Sequence, residues 1–444
     1  MRDFIYRGRK IKRIGLFGLG RSSLGVKEYL EREFPGLEYV LRCDREVSSE
    51  GFDCVRCGSD AYGEPYEDVV FLSPAVRRDR EGFARMARAG VLLSSDAELF
   101  LEKTEIPMFA VSGSDGKSTT VTLAARMLDT VAVGNIGVAM SPLLSDGGVK
   151  CAVAELSSFQ LLWQTPRVHR AVITNISPNH LDWHKSYDEY IGAKENLLFN
   201  AEERVFNLEC EVSRGLLRAH KPWAVYSSKM SPKELISAAK AEVYVGLRGD
   251  YIEANGAKIL HTGAIQLKTE HNLNNILCAI ALTHGHTDEG RIERVARGFQ
   301  GLSHRCECVG IYGGVKYVNS SIDSTPKRCA TTLNSLEGRW VVILGGRSKG
   351  LDYGELIEPM RARARFAVAT GECGKEIADV LRAGGIECVY ESDFDTAVRT
   401  AKREARVGEG VILSPASTSF DRFSSFEERG NYFKDLIRNL HNED

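Results

Sequence analysis

A glycine-rich segment with one lysine and several hydroxyl side chains stands between an apolar run and a segment of helical character. Residues 110–120 have the sequence AVSGSDGKSTT, and the apolar run before them predicts a buried strand. A glycine turn between a strand and a helix directs backbone N–H groups at one point, where the helix N-terminus adds partial positive charge. Lys117 supplies a full charge, and the hydroxyl of Ser118 or Thr119 can ligate Mg²⁺. The segment predicts a nucleoside triphosphate site, in a shortened form because Val111 stands where the full pattern has a glycine.

Other candidate groups follow apolar runs that predict strands of the same sheet. Glu155 lies in the run CAVAEL, residues 151–156, where a carboxylate is well placed for the Mg²⁺ that accompanies a triphosphate. The alternative is a glutamate that only caps a helix. His180 follows the run AVITNI, and this position after a strand favours it over His184 as the functional histidine. Lys194 lies in an amphipathic helical stretch, and sequence physics alone predicts an ordinary solvated lysine there.

The last third of the chain adds further candidates for anion binding. Arg305, in GLSHRCE, lies at a predicted joint between domains, where an arginine can reach a nucleotide phosphate. Lys349 follows the strand VVILGG and is a candidate for holding an anionic substrate. Ser419 and Phe426 come after the last predicted strand. Each signal is weak alone, and their weight comes from clustering at the carboxyl ends of the strands of two sheets.

Two competing motifs are incomplete. Gly18-Leu-Gly20 with Asp44 about twenty residues on imitates a dinucleotide fingerprint, but Ser23 stands where the third glycine belongs, so an NAD site is disfavoured. The CVRC segment, residues 54–57, has metal or redox spacing, but no second such pair exists, and structural zinc needs four ligands.

Strand-like and helix-like segments alternate along the chain and predict an α/β fold. In residues 11–95 and again after residue 301 the alternation predicts a doubly wound, Rossmann-like parallel sheet, whose ligands lie at the carboxyl ends of the strands. Between these regions a mostly parallel sheet carries the phosphate-binding segment, and shorter alternating segments over 202–270 predict a small antiparallel patch. A chain of 444 residues is long enough for about three domains. We predict boundaries at residues 1–95, 96–300 and 301–444.

Composition excludes several classes of protein. A formal net charge of −2 leaves no polycationic surface for nucleic acid or anionic membranes. No apolar run approaches the roughly 20 residues of a membrane span. Eleven cysteines, an odd number without a secretion signal, predict reduced thiols. We therefore expect a cytoplasmic protein with no nucleic-acid or membrane partner.

Taken together, these residues resemble the Mur ligase family, and the resemblance covers nearly the whole chain. It rests on segments distributed from residue 113 to residue 430, namely GSDGKST (113–119), GNIG (134–137), ELSSFQL (155–161), NHLD (179–182), AKENL (193–197), HNLNN (271–275), GLSHR (301–305), GGRSKG (345–350) and SPASTSFDRFSSFEERG (414–430). The family implies a UDP-binding Rossmann-like domain, a central P-loop ATPase and a C-terminal Rossmann-like domain for the incoming amino acid. The segment ELSSFQL and the final segment most resemble members that add D-glutamate to UDP-N-acetylmuramoyl-L-alanine.

The resemblance also implies roles for single residues. Lys117, His180 and Lys194 are the implied catalytic residues, with Lys194 carbamylated, because a carbamate is an anionic oxygen ligand whereas a lysine cation repels Mg²⁺. Two Mg²⁺ sites are implied. The implied metal ligands are Ser118, Glu155, His180 and Lys194. The implied ATP-binding residues are Gly113, Ser114, Asp115, Gly116, Lys117, Ser118, Thr119, Asn272, Asn275 and Arg305. The implied substrate-binding residues are Gly20, Arg21, Asp44 and Ser73 for UDP, Asn135 and Ser157 for muramoyl-alanine, and Lys349, Ser419 and Phe426 for D-glutamate.

One segment departs from the family pattern. Where relatives have a sequence like NDSKATN, this chain has NSSIDST, so Asn319 or Ser320 takes the place of an aspartate that contacts ATP. Ile322 replaces the lysine of that segment, and Ser324 is the corresponding candidate for a D-glutamate contact.

The implied activity is ATP-dependent amide formation between UDP-N-acetylmuramoyl-L-alanine and D-glutamate, by a monomer. The alternatives are another ligase of this fold acting on folate or a different muramoyl peptide, a nucleotide-dependent binding protein that has lost catalysis, and a dinucleotide oxidoreductase. The C-terminal SPASTSF segment disfavours the first, only the altered NSSIDST segment favours the second, and the third does not explain GSDGKST.

Overall fold

The computed structural model describes residues 3–44, 51–266, 269–348 and 350–442. The chain divides into two compact units, Met1–Phe299 and Gln300–Asp444. Over the described residues the first unit contains sheets of two, five and nine strands, and the second contains a sheet of six strands. The prediction of an α/β fold built on three main sheets is confirmed.

The five-stranded sheet lies at the N-terminal end of the first unit. Its strands are all parallel and have the order β5-β4-β3-β6-β7, and a short antiparallel pair, β1 and β2, precedes it. The elements are β1 (Phe4–Tyr6), β2 (Arg9–Ile11), β3 (Arg13–Phe17), α1 (Arg21–Glu33), β4 (Glu38–Cys43), β5 (Cys54–Cys57), β6 (Val69–Leu72), α2 (Glu81–Arg88), β7 (Leu92–Ser94) and α3 (Asp96–Lys103).

The nine-stranded sheet has the order β16-β15-β14-β13-β12-β11-β8-β10-β9. Its elements are β8 (Met108–Ser112), α4 (Lys117–Leu128), β9 (Val131–Gly134), β10 (Ala152–Glu155), α5 (Ser158–Leu161), β11 (Val168–Ile173), α6 (Tyr187–Phe199), β12 (Ala201–Asn207), α7 (Glu211–Leu216), β13 (Ala224–Tyr226), α8 (Pro232–Ala238), β14 (Val243–Arg248), β15 (Tyr251–Ala254), β16 (Ala257–His261), α9 (Glu270–Thr283) and α10 (Glu289–Gly298). The antiparallel patch is present, but it comprises β14 to β16 only. The earlier segments β12 and β13, which we expected in the patch, pair in parallel.

The six-stranded sheet forms the second unit, with the order β17-β18-β22-β19-β20-β21. Only the first pair, β17 with β18, is antiparallel among the pairs described. The elements are β17 (Glu307–Tyr312), β18 (Val315–Asn319), α11 (Pro326–Ser335), β19 (Trp340–Gly345), α12 (Ile357–Arg363), β20 (Ala364–Thr370), α13 (Gly374–Ala383), β21 (Cys388–Glu391), α14 (Phe394–Glu404), β22 (Gly410–Leu413) and α15 (Phe426–Asn442). The division into three domains stays a prediction.

Strand burial and helix caps explain why these elements form where they do. The parallel strands β6, β8, β10, β19 and β22 are buried along their whole length, as expected for strands covered by helices on both faces. Ser95, Ser186 and Thr269 cap α3, α6 and α9 by accepting hydrogen bonds from backbone N–H groups three residues on. Within the described chain, no helix has the length and apolar character required to cross a membrane.

A buried ion pair crosses the core of the five-stranded sheet. Both side chains of the pair, Arg42 and Glu67, are 0% exposed. The Arg42 Nε donates to Glu67 Oε1 at 2.6 Å, its second terminal nitrogen donates to Oε2 at 2.8 Å, and the first donates to the Ala61 carbonyl at 2.8 Å. Such a pair is stabilising only while both partners are present, because removal of one leaves an uncompensated buried charge.

Arg42→Met is expected to lower the free energy of unfolding by about 3–5 kcal/mol because it leaves the Glu67 carboxylate unpaired. The double variant Arg42→Met/Glu67→Leu should recover most of this loss. Urea denaturation followed by circular dichroism measures the change. The matched control is Arg88→Ala, which breaks an exposed ion pair with Glu81 and should cost less than about 1 kcal/mol. Equal stability of Arg42→Met and the native protein would contradict a structural role of the pair.

Candidate functional site

The predicted phosphate-binding segment, which we call the phosphate loop, joins the end of β8 at Ser112 to the start of α4 at Lys117. Two of its glycines have backbone angles in the left-handed region, with φ of 145° at Gly113 and 77° at Gly116. The Lys117 ammonium donates to the carbonyl oxygens of Gly113 and Ser114 at 2.9 and 2.8 Å, so it lies over the loop itself. The Ser118 side chain is buried in the first turn of α4. This geometry gathers a helix N-terminus, backbone N–H groups and a cation at one place, as the sequence predicts.

The loop is held by the segment that follows β11. Ser114 donates its backbone N–H to the Asn175 carbonyl at 2.9 Å, and the Asp115 N–H donates to Asn175 Oδ1 at 3.0 Å. The Thr174 hydroxyl donates to the Asp115 carbonyl at 2.6 Å. The Asp115 side chain itself is exposed. Because the loop takes its shape from these bonds, its N–H groups are oriented before any ligand arrives.

Glu155 ends β10, which pairs directly with β8. Its side chain is 1% exposed, and Oε1 accepts a hydrogen bond from the Asn135 amide at 2.7 Å. The other oxygen, Oε2, is buried and has no hydrogen-bond partner among the described residues. An unpaired buried carboxylate oxygen is costly. A divalent cation beside the phosphate loop would satisfy it, so the residues present fit the Mg²⁺ that was predicted here.

Lys194 lies in α6 and is buried, in contrast to the solvated lysine that sequence physics alone predicts. It is 1% exposed, and its Nζ donates to the Gly113 carbonyl at 2.7 Å and lies 4.6 Å from the centre of the Tyr190 ring. Burial lowers the pKa of Lys194 well below its ordinary value; the charge of Lys117 lowers it further, while those of Asp115 and Glu155 oppose the shift. The structure thus brings Lys194 together with the loop and with Glu155, and burial there disfavours its charged form.

The two histidines occupy different environments. His180 is exposed, with φ of 54°, and its ring packs edge-on against Phe159. His184 is buried, and its Nε2 lies 2.9 Å from Ser158 Oγ and its Nδ1 3.3 Å from Glu189 Oε2. Burial lowers the pKa of His184, against the effect of Glu189. Both histidines lie on a turn and not on a helix. The predicted metal role of His180 stays a prediction.

The two predicted asparagines of α9 differ in their relation to the phosphate loop. Asn275 packs on it, since a Cβ atom added to Gly116 would lie 2.2 Å from Asn275 Oδ1. Asn272 donates its side-chain amide to the capping hydroxyl of Thr269 at 2.8 Å. Thr119, in the first turn of α4, is half-buried. The structure thus places Asn275 beside the phosphate loop, and its contact with ATP stays a prediction.

The UDP candidates lie at the carboxyl edge of the five-stranded sheet. Gly20 precedes α1, and the Ser73 hydroxyl donates to the Phe17 carbonyl at 2.9 Å. Asp44 follows β4 and accepts a hydrogen bond from the Tyr62 hydroxyl at 2.7 Å. These residues follow β3, β4 and β6, which are adjacent in the sheet, so the sequence-predicted set comes together at one edge.

Arg21 links this edge to the loop that carries Asn135. Its guanidinium donates to the carbonyl oxygens of Gly137 and Asn135, at 2.6 and 3.2 Å. The Asn135 amide in turn donates to Glu155. Ser157 caps α5 in a capping box with Gln160, two residues beyond Glu155. Arg21, Asn135 and Glu155, one candidate each for UDP, muramoyl-alanine and Mg²⁺, thus form one hydrogen-bonded series.

In the second unit, the predicted amino-acid contacts lie after adjacent strands. Ser324 is half-buried shortly after β18, Ser419 is buried after β22, and Phe426 begins α15 with its carbonyl accepting from the Ser321 hydroxyl at 2.8 Å. Lys349 lies outside the described residues. The order of β18, β22 and β19 places these segments side by side.

The remaining ATP candidates of the second unit have contrasting exposure. Arg305 is exposed on the turn before β17. Asn319 and Ser320 are fully buried; the Asn319 amide donates to Glu307 Oε2 at 3.0 Å, and the Ser320 hydroxyl accepts from the Cys306 N–H at 3.3 Å. Their side chains thus stabilise the unit itself, and their contact with ATP stays a prediction.

Sequence reasoning missed two residues that organise the site. The Tyr190 hydroxyl lies 2.8 Å from Ser114 Oγ, and its ring lies beside the Lys194 ammonium. Arg77 donates to both carboxylate oxygens of Glu189, at 2.9 and 3.0 Å, and so joins the segment after β6 to α6. The spacing of Tyr190 and Lys194, four residues apart on one helix face, is a signal that points to the tyrosine. No local pattern marks Arg77.

Two models of protein families match this chain. Residues 111–283 match the model of the Mur ligase middle domain, and residues 304–417 match the model of the Mur ligase glutamate ligase domain. The UDP-N-acetylmuramoylalanine–D-glutamate ligase of Acetivibrio thermocellus is 34% identical, over 97% of this chain and 97% of the relative. The enzyme of the same name from Ruminiclostridium cellulolyticum is 32% identical, again over 97% of each chain.

Two solved structures share the fold. The UDP-N-acetylmuramate–alanine ligase MurC of Thermotoga maritima superposes with a TM-score of 0.59 at 18% identity, covering 98% of this chain and 100% of the other. The pseudomurein peptide ligase type C of Methanothermus fervidus superposes with a TM-score of 0.51 at 14% identity, covering 97% of this chain and 100% of the other. At these identities the likeness concerns the fold alone.

Gly116→Ala is expected to weaken ATP binding about tenfold or more. The added Cβ would clash with Asn275 Oδ1 and would stand on a backbone with positive φ, a strain of about 1–3 kcal/mol at the phosphate loop. Isothermal titration with a non-hydrolysable ATP analogue measures the change. Gly147→Ala is the matched control, because no atom lies within 4 Å of its added Cβ. An unchanged affinity of Gly116→Ala for the ATP analogue would contradict a role of the loop in nucleotide binding.

Proposed function

Because this chain belongs to the Mur ligase family, we propose that it joins D-glutamate to UDP-N-acetylmuramoyl-L-alanine with ATP, in peptidoglycan synthesis. The observation that carries the proposal is the identity of 32–34% with D-glutamate ligases along 97% of both chains. The arrangement around the phosphate loop supports it, because the buried Glu155 carboxylate and the Lys194 side chain lie beside the loop, where anionic oxygen ligands for Mg²⁺ would be needed.

ATP would bind at the phosphate loop between β8 and α4. The backbone N–H groups of residues 113–119 and the Lys117 ammonium would hold the phosphates, and Asn275 would border the nucleotide from α9. We also propose ATP contacts for Asn272 and, in the second unit, for Arg305, Asn319 and Ser320. The N–H groups and the cation act on the charge of the transferring phosphoryl group.

Mg²⁺ is implied by the family, and Glu155 and Ser118 would hold it. Among the described residues, no group of three or more His, Cys, Asp and Glu side chains converges as a metal site. The ion would therefore take part of its oxygen ligands from the phosphates, as magnesium does in other ATP enzymes. When bound, Mg²⁺ supplies charge neutralisation and orientation of the phosphates. A second site involving His180 belongs to the same proposal.

Lys194 is proposed to react with CO₂ and become a carbamate. A neutral amine is the nucleophilic form, and burial at Lys194 favours it. In this reaction the nitrogen forms a bond to carbon, and two protons leave the ammonium in total. The product is an anion, which suits a place lined by Lys117 and a divalent cation better than a second ammonium does.

The reaction would proceed through an acyl phosphate. A carboxylate oxygen of the alanyl group attacks the γ-phosphorus, the bond to the β-phosphate oxygen breaks, and ADP leaves. The D-glutamate amine then attacks the acyl carbon, and the tetrahedral intermediate collapses with loss of phosphate and of one amine proton. Lys117 offsets the charge on the transferring phosphoryl group, and Asn135 holds Glu155 in place.

The other ends of the substrates have their own candidate contacts. Gly20, Arg21, Asp44 and Ser73 would hold UDP, and Asn135 and Ser157 would face the muramoyl-alanine. Ser324, Lys349, Ser419 and Phe426 would hold D-glutamate. These assignments rest on the family resemblance, and the described residues among them support it by lying after strands of their sheets, where ligands of parallel sheets bind.

Phosphate release from ATP is expected only when both UDP-N-acetylmuramoyl-L-alanine and D-glutamate are present. The acyl phosphate needs the first substrate to form and the second to turn over. A coupled phosphate assay across a panel of D- and L-amino acids measures this. A preference for another amino acid would indicate a different ligase, and ATP binding without turnover would indicate a binding protein.

Lys194→Ala is expected to lower turnover by at least about a hundredfold and to regain part of it with added acetate or another short carboxylic acid, which replaces the carbamate oxygens. A separate measurement uses ¹³C-labelled bicarbonate: a carbamate carbon signal should appear in the NMR spectrum of the native protein and be missing in the variant. Lys185→Ala, a mostly exposed lysine nearby, is the control. Identical spectra for native protein and variant would contradict the carbamate.

A further inference from the structure

Arg429 of the second unit is buried although the helix that contains it is largely polar. It lies in the first turn of α15 and is 2% exposed. Its Nε donates to Ser321 Oγ at 3.0 Å, one terminal nitrogen donates to the carbonyls of Gly345 and Thr418 at 3.3 and 3.1 Å, and the other donates to those of Ser321 and Ser417 at 3.0 and 3.1 Å. One guanidinium thus makes five hydrogen bonds to three separate segments.

The three segments follow three adjacent parallel strands. Ser321 comes after β18, Gly345 ends β19, and Ser417 and Thr418 come after β22, which lies between the other two. The Ser321 hydroxyl also donates to the Phe426 carbonyl, which closes the arrangement onto the start of α15. In sequence, the proposed D-glutamate contacts Ser324, Lys349 and Ser419 lie one to four residues from an acceptor of Arg429, and Phe426 lies three residues before Arg429 itself.

The backbone around the guanidinium is shaped to admit it. Gly346 has φ of 141°, and a Cβ there would lie 2.0 Å from the Thr418 carbonyl oxygen and 3.0 Å from a terminal nitrogen of Arg429. A backbone amide pair, Arg347 with Thr418, joins the same two segments. The segments after β19 and β22 are therefore fitted to each other and to the arginine.

The charge of Arg429 has no carboxylate partner at ion-pair distance among the described residues. Burial lowers its pKa to about 10, and Asp421 partly opposes the shift, so it remains a cation at neutral pH. Its hydrogen-bond acceptors are neutral carbonyl and hydroxyl oxygens. A buried cation of this kind is costly, which is expected where its planar set of five donors does something that an apolar side chain cannot.

We propose that Arg429 is a positioning residue for the incoming amino acid, which fixes the segments after β18, β19 and β22 in the arrangement that binds D-glutamate. The inference rests on the proposed function. It differs from a general structural role because it concerns one substrate: loss of the guanidinium should loosen the three segments of the amino-acid site and leave the phosphate loop of the first unit intact.

The test compares Arg429→Met and Arg429→Lys in the full-length chain. Steady-state phosphate release gives kcat and the KM for D-glutamate, ATP and UDP-N-acetylmuramoyl-L-alanine. Both variants are expected to raise the KM for D-glutamate about tenfold or more, with the other two KM values within about twofold. Lysine keeps the charge, but three donors on one atom cannot span three segments, so it should not rescue the loss.

Ser321→Ala is a milder variant that folds more easily, because it removes only the Oγ contacts with Arg429 and Phe426. It should raise the KM for D-glutamate about two- to tenfold. The matched control is Arg170→Met in the first unit, a buried arginine that donates to the Leu282 and His284 carbonyls. If this control variant loses activity, the KM for D-glutamate should not rise selectively over the other two KM values.

The outcomes separate this inference from the proposed function. If the native protein shows no phosphate release that depends on D-glutamate, the proposed function fails. If the native protein is active, three results overturn the positioning role. These are an unchanged KM for D-glutamate in the Arg429 and Ser321 variants, an equal rise of all three KM values, or full recovery of the D-glutamate KM in Arg429→Lys.

Discussion

Parallel pairing of β8 with β10 and β11 is the constraint on which the candidate site depends. Parallel strands in register end at the same edge of their sheet. The phosphate loop after β8, Glu155 at the end of β10 and the segment after β11 therefore lie close together, although they are far apart in the sequence. The hydrogen bonds from the segment after β11 then orient the loop. The same rule, applied to β18, β22 and β19, gathers the segments of the second unit.

Three buried ionisable groups lie in the candidate sites of the two units. Over the described residues, Glu155 has an oxygen without a hydrogen-bond partner, burial lowers the pKa of Lys194 well below its ordinary value, and the hydrogen bonds of Arg429 go to neutral acceptors. Within the part of the chain that the structure describes, none of the three has an ion-pair partner like the one that Arg42 has in Glu67. An unmatched buried charge is costly to the fold, and such groups concentrate where ligands or chemistry supply the missing partner.

Much of the fold and part of the site follow from local patterns. Apolar runs separated by helical segments predict the three main sheets, and the spacing of GSDGKST predicts a triphosphate loop, because both depend on neighbours in sequence. The predicted antiparallel patch is too broad, since β12 and β13 are short segments whose parallel pairing is decided by neighbouring strands and not by their own sequence. The burial of Lys194 was not predictable from its helix, because the residues that enclose it come from the phosphate loop and from β10.

The amino-acid sequence by itself determined the class of fold, the nucleotide loop and, through whole-chain similarity, the family. Only the tertiary structure decided which charges are buried, which oxygen of Glu155 lacks a partner among the described residues, and that Arg429 joins three segments separated by up to about a hundred residues. The physical reason is that backbone geometry and apolar periodicity are local properties. Burial and hydrogen bonding of a charged side chain depend on groups that only the folded chain brings within reach.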